Sequence, residues 1–241
     1  MIDSMLSIIG KSFPLTELSC DGYTKMKASG MKFTLRRFYA QGLGNVSCMV
    51  ASGFLGLMKM DTLVITPTEK DMPLFSYDRV HAMGNDTLIF ELYDTMLGQA
   101  DLSSLEAVKQ SAAYLPDHDL GSHWYDDIKL DVSLAKKGKK KDRTGFDATV
   151  VHYLAKYLET AVSAESCPAQ PKREKASVYV EGLLQHGGPS TDVFKKSCVK
   201  KKPQNCFVSI SSPPRHKITS PCHSARGGSV CQRIPVSVQH I

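Results

Sequence analysis

The chain has 241 residues, 42% of them hydrophobic and 22% charged. That composition excludes a fibrous, collagenous or wholly disordered protein, and a chain of this length can bury about 70–75% of its unfolded surface without help from disulfides or metals. The formal net charge of +6 is concentrated at one end, so it describes a region and not the whole chain.

From Ser197 onward there is no Asp or Glu, while Lys200, Lys201, Lys202, Arg215, Lys217, Arg226 and Arg233 are basic. Removing these seven leaves 23 basic residues against 24 acidic ones, so residues 1–196 are close to neutral. The last segment also lacks Leu, Trp and Tyr and has one Phe, so it offers no periodic apolar face. Its four cysteines form no C-x-x-C pair, and without interleaved aromatics its cations make a poor nucleic-acid surface. We therefore expect a single α+β domain over 1–196 and a disordered Ser/Pro/Lys-rich tail over 197–241. The longest uncharged apolar run, Ser47 to Met58, is shorter than the roughly 20 residues of a membrane helix. The opening residues include Asp3 and no basic region, unlike a signal peptide. A soluble, cytoplasmic chain with no membrane partner is expected.

In chain order, the first ninety-five residues read mainly as strands. Met31 to Ala40 alternates and breaks at Gly42 and Gly44; Asn45 to Val50 and Asp61 to Thr66 follow, the latter stopped by Pro67. Leu74 to Met83 and Thr87 to Asp94 form the clearest hairpin, with Gly84-Asn85-Asp86 as a three-residue loop tolerant of positive φ. That register sets Arg79 opposite Glu91 as an exposed ion pair, and Asp78 opposite Leu92 with Val80 opposite Phe90 on an otherwise apolar face. A carboxylate on such a face is either held in a structural hydrogen-bond network or kept in a pocket with a raised pKa.

Helices are expected afterwards. Ser103 or Ser104 caps one that ends before Pro116, and Asp147 caps a second with Val150, Val151, Leu154, Tyr157, Leu158 and Ala161 as its stripe. A third spans about Pro171 to His186, with Val178, Val180, Leu183 and Leu184 inward and Gly187 at its end. Strands first and helices later imply an antiparallel β-sheet flanked by helices, an α/β/α sandwich.

Dinucleotide, phosphate-loop, nucleophile-elbow and zinc-protease motifs are absent from the sequence. Asp117, His118, Asp119, His123, Asp126 and Asp127 have metal-ligating side chains at a spacing that matches no defined site, and read as a solvated loop anchored by Trp124. The basic run from Lys136 to Arg143 reads as a flexible solvated loop or as a docking patch for an acidic partner or phosphates.

From Pro67 to Asp94 the chain resembles the ferredoxin-dependent bilin reductases. The resemblance lies in a proline-terminated strand followed by Pro73-Leu74-Phe75-Ser76-Tyr77-Asp78, a turn and an apolar strand. It implies a helix-flanked antiparallel sheet, a linear tetrapyrrole substrate, electrons from external ferredoxin or a similar donor, and no bound cofactor or metal. Asp78 falls at that family's catalytic aspartate, and a carboxyl on an apolar face suits a proton donor. Ser76, Val80 and Phe90 are the implied pocket residues, and Arg36 and Arg37 the candidates for holding the pigment's propionates. One branch of the family has a histidine five residues before the strand-ending proline, where this chain has Thr62, and a glutamate that falls near Val50. Asp78 is thus the single catalytic residue carried over. Two function classes stay open: a bilin-like reductase, and a protein of the same fold that binds a tetrapyrrole or another hydrophobic acid without chemistry.

Overall fold

The computed structural model describes residues 1–28 and 30–186, so the 196/197 boundary, Gly187 and the basic tail lie outside the described residues. Eight strands form one antiparallel sheet: β1 (Leu15–Leu18), β2 (Lys25–Ala28), β3 (Met31–Ala40), β4 (Gly44–Gly53), β5 (Met58–Pro67), β6 (Leu74–Ala82), β7 (Asn85–Tyr93) and β8 (Leu134–Lys139). Their order is β1-β3-β4-β5-β6-β7-β8, with β2 also pairing with β3. Four helices complete the fold: α1 (Ile2–Ser12), α2 (Ser103–Ser111), α3 (Arg143–Ser163) and α4 (Ala169–His186). The α+β sandwich expected from the sequence is therefore the observed architecture.

Alternation along the strands gives the sheet two apolar faces. On one, Phe38, Val46, Leu63, Ile65, Phe75, Phe90 and Leu92 pack against α1, α2 and α3 in the main core. The α3 stripe contributes Val150, Leu154, Tyr157, Leu158 and Ala161, but Val151 is exposed. Asp147 lies a turn inside α3 instead of capping it, and its carboxylate takes a hydrogen bond from Arg79. At the start of α2 the first free amide, that of Ser103, is satisfied by Asp101 at 2.9 Å.

Helix α1, where the sequence suggested strands, buries Ile2, Met5, Leu6 and Ile9 at helical spacing. The lysine run is not a flexible loop either. Its first half is strand β8, in which Leu134, Lys136 and Gly138 point inward. Lys136 is buried, with its ammonium on the Leu115 carbonyl and on Asp117, so it is unavailable to a docking partner. Its neighbours Lys137, Lys139, Lys140, Lys141 and Arg143 remain exposed.

The β6–β7 hairpin forms, but in another register. The loop is the two-residue Met83-Gly84, with φ of 50° and 79°, and Ala82 pairs directly with Asn85. Two successive positive φ values make the type I′ turn that matches the twist of a hairpin. Arg79 consequently lies opposite Leu88, not Glu91. It is 3% exposed and chelated by Asp86, Nη2 to Oδ2 at 2.8 Å and Nε to Oδ1 at 3.0 Å. The expected exposed Arg79–Glu91 pair is replaced by a buried ion cluster, and Asp86, expected in the turn, is drawn into the core to complete it.

Burial also decides thiol chemistry. Cys48 lies in the main core, and the loss of solvent pushes its thiol up to about 12. It should stay unmodified when the folded protein meets iodoacetamide at pH 8 (about four units below that value) and react once urea exposes it. Peptide mapping of both samples checks this.

Candidate functional site

The second sheet face carries the sequence-derived candidate Asp78. Ser76, Asp78 and Val80 alternate onto it from β6, and the register extends each row across the sheet. Asp78 lies between Thr62 of β5 and Ile89 of β7, while Ser76 lies between Val64 and Glu91. Farther across, Val64 pairs with Ser47 and Ser47 with Arg37. The centre of this face is thus a polar saddle of Arg37, Ser47, Thr62, Ser76, Asp78 and Glu91.

Two apolar clusters flank the saddle. Toward one end of the sheet, Phe33, Leu35, Met49, Ala51 and Met60 pack together. Toward the other, Leu74, Tyr93, Tyr125 and Tyr179 form an aromatic cluster in which Tyr93 stacks on Tyr179 with centroids 4.2 Å apart. Burial pushes the Tyr93, Tyr125 and Tyr179 phenols well above their usual range, so all three stay protonated. A hydrophobic ligand with a polar middle and acidic groups fits that alternation.

Within the saddle, Thr62 donates to Asp78 Oδ1 at 2.5 Å, and both side chains are half-buried. Tyr93 donates to Glu91 Oε2 at 2.6 Å, which leaves the buried Oε1 with no hydrogen-bond partner among the described residues. A buried carboxylate oxygen without a donor is costly, so this atom is a ready acceptor for a ligand N–H. Ser76 and Arg37 are buried on the same face and Val80 is half-buried there.

Three sequence expectations are corrected. Phe90 is fully buried in the main core, pairs with Tyr77, and faces away from Asp78, because the two-residue turn shifts the register by an odd number. Arg36 also points away, held by Glu17 at 2.9 Å and by Asp3 at 3.2 Å, so it cannot line this face. Val50, the position nearest the family's upstream glutamate, likewise lies in the rows of the opposite face. Sequence reasoning missed Glu91 and Thr62 as site residues. Glu91 was assigned to Arg79 by the register, and Thr62 was noted only as a replaced histidine, although that position is the direct cross-strand partner of Asp78.

Helix α4 and the segment before η-turn residues 126–128 cover the aromatic end. Among the described side chains of α4, Lys172, Ala176 and Tyr179 point inward, whereas Val178 is exposed and Val180 only half-buried, contrary to that part of the expected stripe; the side chains of Leu183 and Leu184 lie outside the description. Lys172 is fully buried and donates to Met72 O at 2.7 Å, Thr95 O at 2.7 Å and Asp71 Oδ1 at 3.1 Å. Burial pushes its ammonium pKa down and the Asp71 carboxylate works against that. Trp124, the sole tryptophan, lies edge-on to Tyr125 and over the backbone of Gly182, where a Cβ would come within 2.2 Å of the ring. Gly182→Ala must therefore move the indole, and its fluorescence emission maximum is expected to shift toward longer wavelength while circular dichroism stays unchanged.

The acidic and imidazole residues of 117–127 disperse: Asp117 pairs with Lys136, Asp126 with Lys129, and His123 stacks on Tyr125. Among the described residues no three metal-ligating side chains converge. An open cavity of about 540 Å³ lined by Asp71, Asp101, Glu159, Thr160 and Glu165 lies by α2 and α3, and none of the Asp78-face residues lines it.

No family model and no curated protein matches the chain. Among solved structures it is similar to a phytochromobilin synthase from tomato, determined as the selenomethionine protein in complex with biliverdin. The TM-score is 0.72 at 12% identity, over 88% of this chain and 83% of that one. The two share a fold. No helix of the described residues is long and apolar enough to cross a membrane.

Proposed function

We propose that the chain binds a linear tetrapyrrole on the Asp78 face and reduces one of its double bonds with electrons from an external ferredoxin-type donor. The observation that carries this reading is the placement of Asp78. It sits on a central strand, on the sheet face opposite the main core, bonded to Thr62, between two apolar clusters. The tomato protein of the same fold was determined with biliverdin bound. Arg37 is the cation on this face suited to a propionate, in the same cross-strand row as Ser76, while Val80 lies two residues from Asp78 on β6.

Reduction of one double bond consumes two electrons and two protons. The donor supplies the electrons singly, and Asp78 supplies one proton from its position against the ligand. Glu91, in the neighbouring row and with an oxygen free of donors among the described residues, is suited to hold the ligand's N–H groups or pass the second proton. Exposed Lys137, Lys139, Lys140 and Lys141 offer an acidic electron carrier a basic landing edge. One observation favours the second reading, binding without chemistry: the cross-strand neighbour bonded to Asp78 is the hydroxyl of Thr62, which cannot store a proton near neutral pH.

Titrating biliverdin into the protein should shift and sharpen its visible absorption band. Anaerobic addition of reduced ferredoxin should then convert that band to that of a shorter conjugated product. No spectral change on mixing defeats both readings; a shifted band that ferredoxin leaves unaltered leaves the binding reading alone standing.

A further inference from the structure

At one end of the sheet the chain exposes four large apolar side chains that no part of the proposed site uses. Phe54 is 60% exposed, Leu55 fully exposed, and Leu57 70%, all in the β4–β5 connection; Met83, at the β6–β7 turn, is 91% exposed. The pairing of Met58 with Ala82 sets Leu57 and Met83 at adjacent hairpin tips. Phe54 and Leu55 have φ of 51° and 57°, a left-handed conformation that L-residues with bulky side chains rarely adopt. The backbone is strained while the side chains gain no burial among the described residues.

Behind the tips stands a row of cations. Lys27 pairs with Lys32, Lys32 with Ser52, and Ser52 with Lys59, so three lysines occupy one register row across four strands. All three are exposed, and none has an ion pair among the described residues. Like charges directly opposite each other on paired strands are unfavourable, so the row works against the sheet that carries it. Lys59 follows Leu57 by two residues, which at about 3.3 Å of rise per residue sets the cations about 7 Å behind the apolar tips. An interfacial element buries its apolar groups about 5–10 Å into the headgroup boundary and keeps lysines among anionic headgroups. Protruding apolar tips backed by lysines at that depth match the layered chemistry of an anionic lipid surface.

We propose that this end of the sheet docks the protein on an anionic membrane surface, with Phe54, Leu55, Leu57 and Met83 entering the interface and Lys27, Lys32 and Lys59 engaging the headgroups. Such attachment is peripheral and needs no spanning segment.

Co-sedimentation of the full chain with phosphatidylcholine vesicles containing about a third phosphatidylserine tests the proposal, with pure phosphatidylcholine as the comparison. The wild type should bind the mixed vesicles and much less the neutral ones. Leu55→Glu, and independently Met83→Glu, should weaken binding at least about tenfold, and the triple change Lys27→Glu, Lys32→Glu, Lys59→Glu should do the same. The affected side chains are exposed, so thermal melts of the single variants should match wild type. The basic tail is common to every variant, and binding that survives both Leu55→Glu and Met83→Glu would assign membrane affinity to it and overturn the proposal. So would absence of vesicle binding, or self-association in light scattering that Leu55→Glu abolishes without any vesicle binding, which would make the tips a protein contact.

Discussion

Asp78→Asn is expected to bind biliverdin as the wild type does and to turn it over at least about 100-fold more slowly, the usual scale for losing a positioned proton donor. The amide keeps the size of the side chain and an oxygen to accept from Thr62, so the cross-strand hydrogen bond persists. The titratable proton does not. A thermal melt alongside the kinetics separates chemistry from architecture. Were the variant to melt far lower yet react normally, Asp78 would be a structural carboxylate and the proton-donor assignment would fail. A turnover loss with unchanged melting identifies the site, because a side chain that merely braces the sheet has no means of slowing one step while leaving stability alone.

Arg79→Met should destabilise the fold by about 3–5 kcal/mol, the scale of removing one partner from a buried ion pair. Asp86 is 1% exposed and receives two hydrogen bonds from the Arg79 guanidinium. Burial opposes the charge of Arg79, but the carboxylates of Asp86 and Asp147 outweigh it and hold its pKa above the usual arginine range. Removing the cation leaves Asp86 dry, with half-buried His81 at 3.1 Å and more exposed Arg143 at 3.7 Å as its remaining neighbours of positive character. Urea unfolding should show a lowered midpoint at unchanged slope. Adding Asp86→Asn to Arg79→Met should recover part of the loss, since the orphaned charge is gone. A loss under about 1 kcal/mol, the scale of an exposed pair, would contradict the burial on which this cluster rests.

The contrast between these residues explains what the sequence could disclose. Strand β3 alternates at its start and helix α3 carries a 3.6-fold apolar stripe, while β5 and β6 are marked by β-favouring residues bounded by Pro67 and by the turn at Gly84, and those elements were legible. Strand β8 was hidden because its inward positions include Lys136, whose charge is satisfied only by the distant Leu115 and Asp117. The hairpin was recognised and its register was not. Gly, Asn and Asp all tolerate positive φ, so local preference favoured Gly84–Asp86 as the loop. The fold instead places Met83 in the left-handed region and uses Asp86 to neutralise Arg79, a choice set by tertiary burial and invisible to local propensity. Asp78 kept its face because it depends on β6 alone. Phe90 and Glu91 depended on the pairing, and both moved.

The docking of α4 has a thermodynamic consequence. Its peg is the ammonium of Lys172, seated on two carbonyls and a carboxylate, and on the same helix Tyr179 stacks on Tyr93. Lifting α4 from the sheet would hydrate a charge and also open the aromatic cluster to which Tyr179 belongs. Apolar exposure raises the heat capacity and polar exposure lowers it, so the hydrated ammonium and its freed carbonyls offset part of the aromatic contribution. Per unit of surface exposed, this opening should carry a smaller heat-capacity change than unfolding of the main core, which is built from apolar side chains. Its free energy should therefore curve less with temperature than that of the fold as a whole.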